Sequence, residues 1–366
     1  MKIDCILPQR SQYEVLHHFT RKVGEALVRL GHSVRILEAE ADLFPTEESL
    51  PDATLAFNGA PSMEDGTFLC DKWGIPHYAC LVDPPLYYLG LLGSPLIKLY
   101  CDDKSSFSQL KGLGYSKGMF FTQGIEPELL AKTEGSKEYD LVFMASYFDV
   151  PEAKRQMEER LSDELYQLTE RAIESTFIDN SLSLYDAFVK VIEGKAHLLE
   201  EVDFVQLFYA MSYVQKGEAR NRLLMSLSGL PVHVWDMRWE GFCKENCPKA
   251  IVHEAVNYKE GLEVFKKAKI VLCNSIRSVN GCNERVLNAI ACGAVAFTNN
   301  NPYFREHFID KEHLLLYDHH DMSNNEKVIR LLLEDSEKLS KMTAAARKVV
   351  LEEHTWDDRL REIGLG

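Results

Sequence analysis

Short apolar runs alternate with helical periods along most of the chain. Ile3 to Pro8 reads as a strand, and Val15, Leu16, Phe19, Val23, Ala26, Leu27 and Leu30 then recur at helical spacing until Gly31. Val34 to Leu37 restarts a strand. This order opens a doubly wound parallel sheet, in which ligands sit beyond the carboxyl ends of the strands. Further strands are expected at Ala53 to Phe57, His77 to Val82, Lys98 to Tyr100 and Met119 to Phe121. Thr122 to Lys137 carries Gly124, Pro127 and Gly135 with little apolar periodicity and reads as a linker at 123–137. Strands resume at Asp140 to Met144, Val232 to Trp235, Ala250 to Val252, Ile270 to Cys273, Ala294 to Thr298 and Leu314 to Tyr317. Between the first two of these, 151–227 turns helical, with Met157, Leu161, Leu165 and Leu168 and then Phe204, Leu207, Phe208 and Met211 as core stripes. A parallel sheet does not call for so many consecutive helices, so this stretch is expected to be an insertion.

The segment Gly281 to Thr298 condenses the chemistry. It reads as a glycine turn, a short helix opening with polar residues, a stop at Gly293 and a buried strand. Val286, Leu287, Ala289 and Ile290 form the packing stripe, while Glu284, Arg285 and Asn288 share the other face. Backbone N–H groups at Gly281 to Asn283 would point at an anion, with Arg285 supplying a two-pronged positive contact. Ordinary polar residues on a helix against a sheet would look the same in isolation.

The wider context resembles the GT-B glycosyltransferases, in particular a CgeB-like (spore-protein) branch beside the group 1 transferases. The resemblance is carried by Val234-Trp235-Asp236 with Trp239, His253 to Tyr258, Ala268 to Asn274, the Gly281 segment, Tyr303-Phe304, Glu306, Phe308, Leu316-Tyr317-Asp318 and His354-Thr355-Trp356. In the first half Val82-Asp83-Pro84-Pro85 and Gly124-Ile125-Glu126-Pro127 take part. It implies an α/β GT-B fold of two Rossmann-like doubly wound domains facing a cleft. The first would span 1–122 and lie on the acceptor side. The second, 138–345, would bind a nucleotide-sugar and carry the helical insertion, and 346–366 would cross back to the first domain.

The implied activity is transfer of a sugar from a nucleotide-sugar donor to a glycan, protein or small-molecule acceptor, the alternatives on the same scaffold being a non-catalytic nucleotide-sugar or glycan-binding protein and a sugar-nucleotide epimerase. Donor contacts would come from Ser146 and Tyr147, where small residues let the backbone approach a diphosphate, from Asp236, His253 and Val256 toward base and ribose, and from Gly281, Asn283, Glu284 and Asn288. Turn chemistry alone would also favour Asp, His and Asn at those strand ends. Gln9, Arg10 and Tyr13 would face the acceptor or form a plain surface connection. Asp83 is either the base for the acceptor hydroxyl or a carboxylate capping its turn. Group 1 retaining enzymes carry two glutamates at the positions of Asn280 and Asn288, so neither carboxylate is present and the stereochemical course stays open.

Composition narrows the partners. Lys plus Arg total 41 against 56 acidic residues, a net charge of −15, which opposes nonspecific attraction to nucleic acid or an anionic bilayer. At 366 residues, two domains are expected. No Asp-x-Asp triplet occurs, so donor binding is expected without a metal, and no resident cofactor is called for. Pro8 to Tyr13 has no glycine where an NAD enzyme would carry Gly-x-Gly-x-x-Gly. Cys243, Cys247 and His253 lack a second ligand pair for zinc, and His17-His18 and His319-His320 read as packed or solvent-facing. The opening Met1-Lys2-Ile3-Asp4-Cys5 lacks a signal peptide's apolar stretch, and no run reaches membrane-spanning length. Nine scattered cysteines argue against a disulfide scaffold. A cytoplasmic protein is expected. The oligomeric state is not written in the chain.

Overall fold

The computed structural model describes residues 1–9, 11–38, 49–131 and 136–366. The chain divides into two units, Met1–Glu128 with Leu351–Gly366, and Leu129–Val350. In chain order the first unit runs β1 (Lys2–Leu7), α1 (Val15–Arg29), β2 (Ser33–Glu38), β3 (Ala53–Phe57), α2 (Leu69–Trp73), β4 (His77–Leu81), β5 (Ile97–Cys101), α3 (Ser106–Gly112) and β6 (Met119–Phe120), ending at the start of α4 (Pro127–Ala131). Its six strands are all parallel in the order β2-β1-β3-β4-β5-β6. β3 and β4 are buried at every residue, as strands covered on both faces must be. The outer strand β2 is less covered: only Val34 and Leu37 are partly buried, and its other four residues are exposed.

The second unit continues with β7 (Tyr139–Met144) and four consecutive helices, α5 (Val150–Arg160), α6 (Asp163–Ile178), α7 (Leu184–Ile192) and α8 (Phe204–Met225). Then follow β8 (Val232–Trp235), α9 (Glu240–Asn246), β9 (Ile251–His253), α10 (Tyr258–Lys266), β10 (Ala268–Leu272), α11 (Glu284–Ala291), β11 (Val295–Asn299), α12 (Pro302–His307), β12 (Leu315–Tyr317), α13 (Asn325–Leu333) and α14 (Ser336–Glu353). Six parallel strands again form one sheet, ordered β12-β11-β10-β7-β8-β9. α15 (Trp356–Glu362) closes the chain in the first unit. Among the described residues no helix is long and apolar enough to cross a membrane.

All the strands expected from the apolar runs are present, with ends shifted by at most one or two residues. The insertion is helical because its stripes are capped: Asp149, Ser162, Ser183 and Asp203 each accept a backbone N–H at a helix start. Within the expected linker 123–137, of which 132–135 lie outside the described residues, the chain forms α4, with Pro127 at the first helical position and Leu129 and Leu130 buried. Two leucines in one turn suffice to anchor a helix too short to show a period.

The last sixteen residues are tied to the first unit by backbone and by one large ring. Ile125 N–H donates to the His354 carbonyl (2.9 Å) and Trp356 N–H to the Ile125 carbonyl (3.2 Å). A Cβ on Gly124 would lie 2.6 Å from the Trp356 nitrogen, so this approach requires glycine. Trp356 packs edge-on to Phe19 (centroids 5.4 Å) and Phe57 (6.1 Å), with Leu360 and Ile363 buried on the same stripe.

Two histidines are buried as neutral bases. His77 joins the Thr54 hydroxyl at Nδ1 (2.7 Å) and the Gly59 carbonyl at Nε2 (2.9 Å), and burial depresses its pKa to about 4. His319 lies among Phe177 and Tyr317 with neither ring nitrogen hydrogen-bonded among the described residues, and burial, aided by Arg222, depresses it to about 3. A base whose folded pKa lies below its unfolded value binds its proton more readily in the unfolded chain. Its stabilising effect is therefore complete above pH 6.5 and fades as pH falls toward 4 and 3. Each residue is expected to cost its own unit about 2 kcal/mol at pH 5 relative to pH 8. His319→Phe should flatten the pH dependence of the second unit's melting, followed by circular dichroism. An unchanged slope between pH 7 and 5 would contradict this.

Candidate donor site

Polar residues collect beyond the carboxyl ends of the second unit's strands, where a parallel sheet leaves unpaired backbone and helix N-termini. After β10 the chain crosses 273–283 to reach α11, and three asparagine amides hold that crossing. Asn299 accepts Ser275 N–H (2.6 Å), Asn274 accepts Ile276 N–H (3.2 Å), and Asn301 donates to the carbonyls of Ser278 (2.8 Å) and Gly281 (3.1 Å). Asn301 is fully buried and also caps α12 through Phe304 N–H.

α11 is packed through Val286, Leu287, Ala289 and Ile290, all 0% exposed, and ends at Gly293 with φ +75°. Its N-cap is Asn283, whose Oδ1 accepts Arg285 N–H (2.9 Å) and Arg285 Nε–H (3.1 Å). The Arg285 N–H, just past the Gly281 to Asn283 groups expected to point at an anion, is thus capped by the chain itself. Arg285 is half-buried, with Nη1 3.4 Å from the Met144 carbonyl at the end of β7 and Nε 3.5 Å from Glu284. The guanidinium is held at the amino end of α11, where the helix dipole and the fork of donors act on the same charge.

The loop following β7 is pinned beside it. Arg220 donates to the Ser146 carbonyl (2.5 Å), Trp239 Nε1–H to the Ala145 carbonyl (2.7 Å) and Tyr147 N–H to Asp236 Oδ2 (3.2 Å). The Tyr147 ring meets Trp239 at 5.1 Å, and burial raises its phenol. Asp236 sits at φ +152°, a conformation rare outside glycine, and its carboxylate is gripped by Arg238 through backbone and guanidinium. Burial opposes the Asp236 charge, but the hydrogen bonds from Arg238 and Tyr147 outweigh it and hold the carboxyl below its usual range.

His253 stacks on Trp235 (4.3 Å) and pairs with His233 Nδ1 through its Nε2 (2.9 Å). Burial lowers its pKa, as it does that of His233. Val256 is half-buried in the loop before α10. Asn288, grouped with Glu284 and Arg285 by helical spacing, is instead 2% exposed, and its amide is engaged with the Tyr258 hydroxyl of α10 (2.8 Å). Ser146, Tyr147 and Asp236 thus form one connected group, and Gly281, Asn283, Glu284 and Arg285 another, joined at the end of β7. Cys243 and Cys247 are packed in the core around Trp239, burial pushing their thiols up to about 11 and about 12.

In the first unit Asp83 follows β4, half-buried, and accepts a hydrogen bond from Asn58 Nδ2 (2.8 Å). Asn58, at φ +55°, also accepts Val82 N–H (2.8 Å), so one amide clamps both the strand end and the carboxylate. Gln9 and Tyr13 are exposed beyond β1, Tyr13 at φ +55°. Arg10 lies outside the described residues. Sequence reasoning missed Asn58 and the buried carboxylates Asp102 and Asp103 after β5, which are held by Gln123 Nε2 (3.1 Å) and Ser105 N–H (2.6 Å). Their signal was a polar residue directly after a strand.

Residues 219–364 match the family described as Glycosyl transferase-like. Over 100% of this chain and 98% of the other, the fold is similar to HepE from Anabaena, solved with UDP and glucose, at 10% identity and a TM-score of 0.54. It is similar to sucrose-phosphate synthase from Thermosynechococcus elongatus at 11% identity and a TM-score of 0.55, over 99% and 97% of the two chains. An alpha-glucosyltransferase solved with UDP and a 13-mer DNA containing a HMU base gives 10% and 0.54, over 100% and 98%. No curated protein matches the chain in sequence. At this identity the likeness establishes the fold, which is GT-B: two parallel α/β units built as the paired sheets above.

Proposed function

We propose that this protein is a glycosyltransferase that moves a sugar, in the first instance a hexose, from a nucleotide-sugar to an acceptor in the cytoplasm, without a metal. The observation that carries this reading is the amino end of α11: a capped helix start with Arg285 fixed over it, on a loop braced by three asparagines, inside the segment that matches the glycosyl transferase-like family. Helix N–H groups and Arg285 meet the charge that grows on the departing diphosphate. Ser146 and Tyr147 offer backbone beside it, and Asp236 keeps that loop in place. Base and ribose lie toward His253 and Val256. Asp83, steered by Asn58, takes the acceptor proton. The lack of an Asp-x-Asp triplet supports metal independence, and the run of motifs from Val234 to Trp356 supports a CgeB-like branch. Neighbours of the same fold carry UDP with glucose or UDP-glucose, which makes UDP-sugars the first donors to try.

A thermal-shift screen with UDP-, GDP-, ADP- and CMP-sugars tests this, because a ligand bound by the folded form alone raises the melting temperature. One nucleotide class is expected to stabilise the protein selectively and to be consumed, with release of nucleotide diphosphate. A flat response across all four classes would sink the reading. Asn280 and Asn288 in place of acids, with the Asn288 amide turned onto Tyr258, favour one alternative, a nucleotide-sugar or glycan-binding protein. It would give a thermal shift without any donor hydrolysis.

A further inference from the structure

The helical insertion contains a cavity that the donor chemistry does not use. It has a volume of about 560 Å³, within the roughly 300 to 1,000 Å³ range of small-molecule sites, and opens between α5, α8 and the loop before α8. Met157 and Leu207 are its buried apolar floor, and Tyr209 and Tyr213, one turn apart on α8, give it an aromatic wall.

Its charge is one-sided. Asp149, Glu152, Glu201 and Asp203 line it against a single cation, Arg160. Glu152 is already engaged by Arg155 (2.7 and 2.9 Å), but the others keep accepting capacity. Asp149 and Asp203 each use Oδ1 to cap a helix, and among the described residues nothing donates a hydrogen bond to either Oδ2. Among the described residues neither Glu201 nor Arg160 has an ion-pair partner. Lys216 and Arg220, on the same helix, sit over the Phe148 ring and line no part of the cavity. An anion here would meet three carboxylates, and a neutral body would leave them unused. A protonated amine would gain both the carboxylates and the electron-rich face of a tyrosine.

We propose that this cavity binds an amphipathic organic cation, an aromatic or aliphatic body carrying a protonated amine, held by Tyr209 and Tyr213 on one side and by Asp149, Glu201 and Asp203 on the other. The site does not depend on the donor reading. It does share two elements with the donor loop: Tyr213 accepts Asp149 N–H (3.2 Å), and Arg220, seven residues along α8, grips Ser146.

Calorimetric titration of the full chain with tryptamine, with its hydroxyl isostere indole-3-ethanol and with the anion indole-3-acetate separates charge from shape. Tryptamine is expected to bind best and to weaken with added salt. Asp203→Asn, which keeps a good helix cap, and Glu201→Gln should each weaken it about fivefold, the effect of one charge pair at about 4 Å in water. Ala210→Trp, which fills the cavity, should abolish it. No tryptamine binding at roughly millimolar concentration, equal affinity for the anion, or affinity unmoved by both charge variants would overturn the proposal.

Discussion

Arg285→Ala is expected to lower donor turnover by about 10²- to 10³-fold, the usual cost of removing one preorganised donor to a developing negative charge. The effect should fall chiefly on turnover, because the charge on a departing diphosphate is greater in the transition state than in the bound donor. Arg285→Lys should recover only part of the loss, since a point ammonium cannot reproduce the two-pronged fork. The fold should survive: the side chain is half-buried, and its contacts are to Asn283, Glu284 and the Met144 carbonyl rather than to the apolar stripe of α11. Initial rates with the donor class found by thermal shift, at matched circular dichroism, are the measurement. Turnover within about threefold of the unmodified protein would remove Arg285 from the leaving-group role.

Trp356→Ala is expected to destabilise the first unit by about 3–5 kcal/mol, the range for truncating a large buried aromatic. The indole is 1% exposed and contacts Phe19, Phe57 and Phe121, which come from α1, β3 and the end of β6. Its loss opens a cavity on three elements at once, and the close approach at Gly124 leaves the backbone little room to collapse into it. Denaturant unfolding should show the transition of the first unit moving to lower denaturant while that of Leu129–Val350 stays in place. Loss below about 1 kcal/mol would mean that the tail's aromatic cluster is not what anchors it.

The sheets were readable because parallel strands buried on both faces are continuous apolar runs, and those runs carry their own boundaries. The insertion was readable for the matching reason, that capped helices with four-residue stripes look like nothing else. The site was less so. Asn274, Asn299 and Asn301 stand out only as polar residues after strands, yet together they build the loop before α11, Asn274 through a local turn and Asn299 and Asn301 through bonds that span 20 to 24 residues. Asn288 shows the opposite limit. Its helical spacing groups it with Arg285, but a hydroxyl from α10 covers it, and no local pattern encodes which neighbouring helix comes to lie there. Asn58 takes a left-handed conformation because its amide bonds both Val82 and Asp83, a tertiary cause that a single asparagine after a strand does not announce.

The central claim is that the amino end of α11 receives the charged leaving group of the donor. A crystal structure with the nucleoside diphosphate selected by the thermal-shift screen tests it most directly. The account predicts phosphate oxygens within hydrogen-bond distance of the Arg285 guanidinium and of backbone N–H groups between Gly281 and Arg285, with Asn301 still holding Gly281. Phosphate density elsewhere in the protein, with Arg285 still turned to Asn283 and Met144, would contradict it.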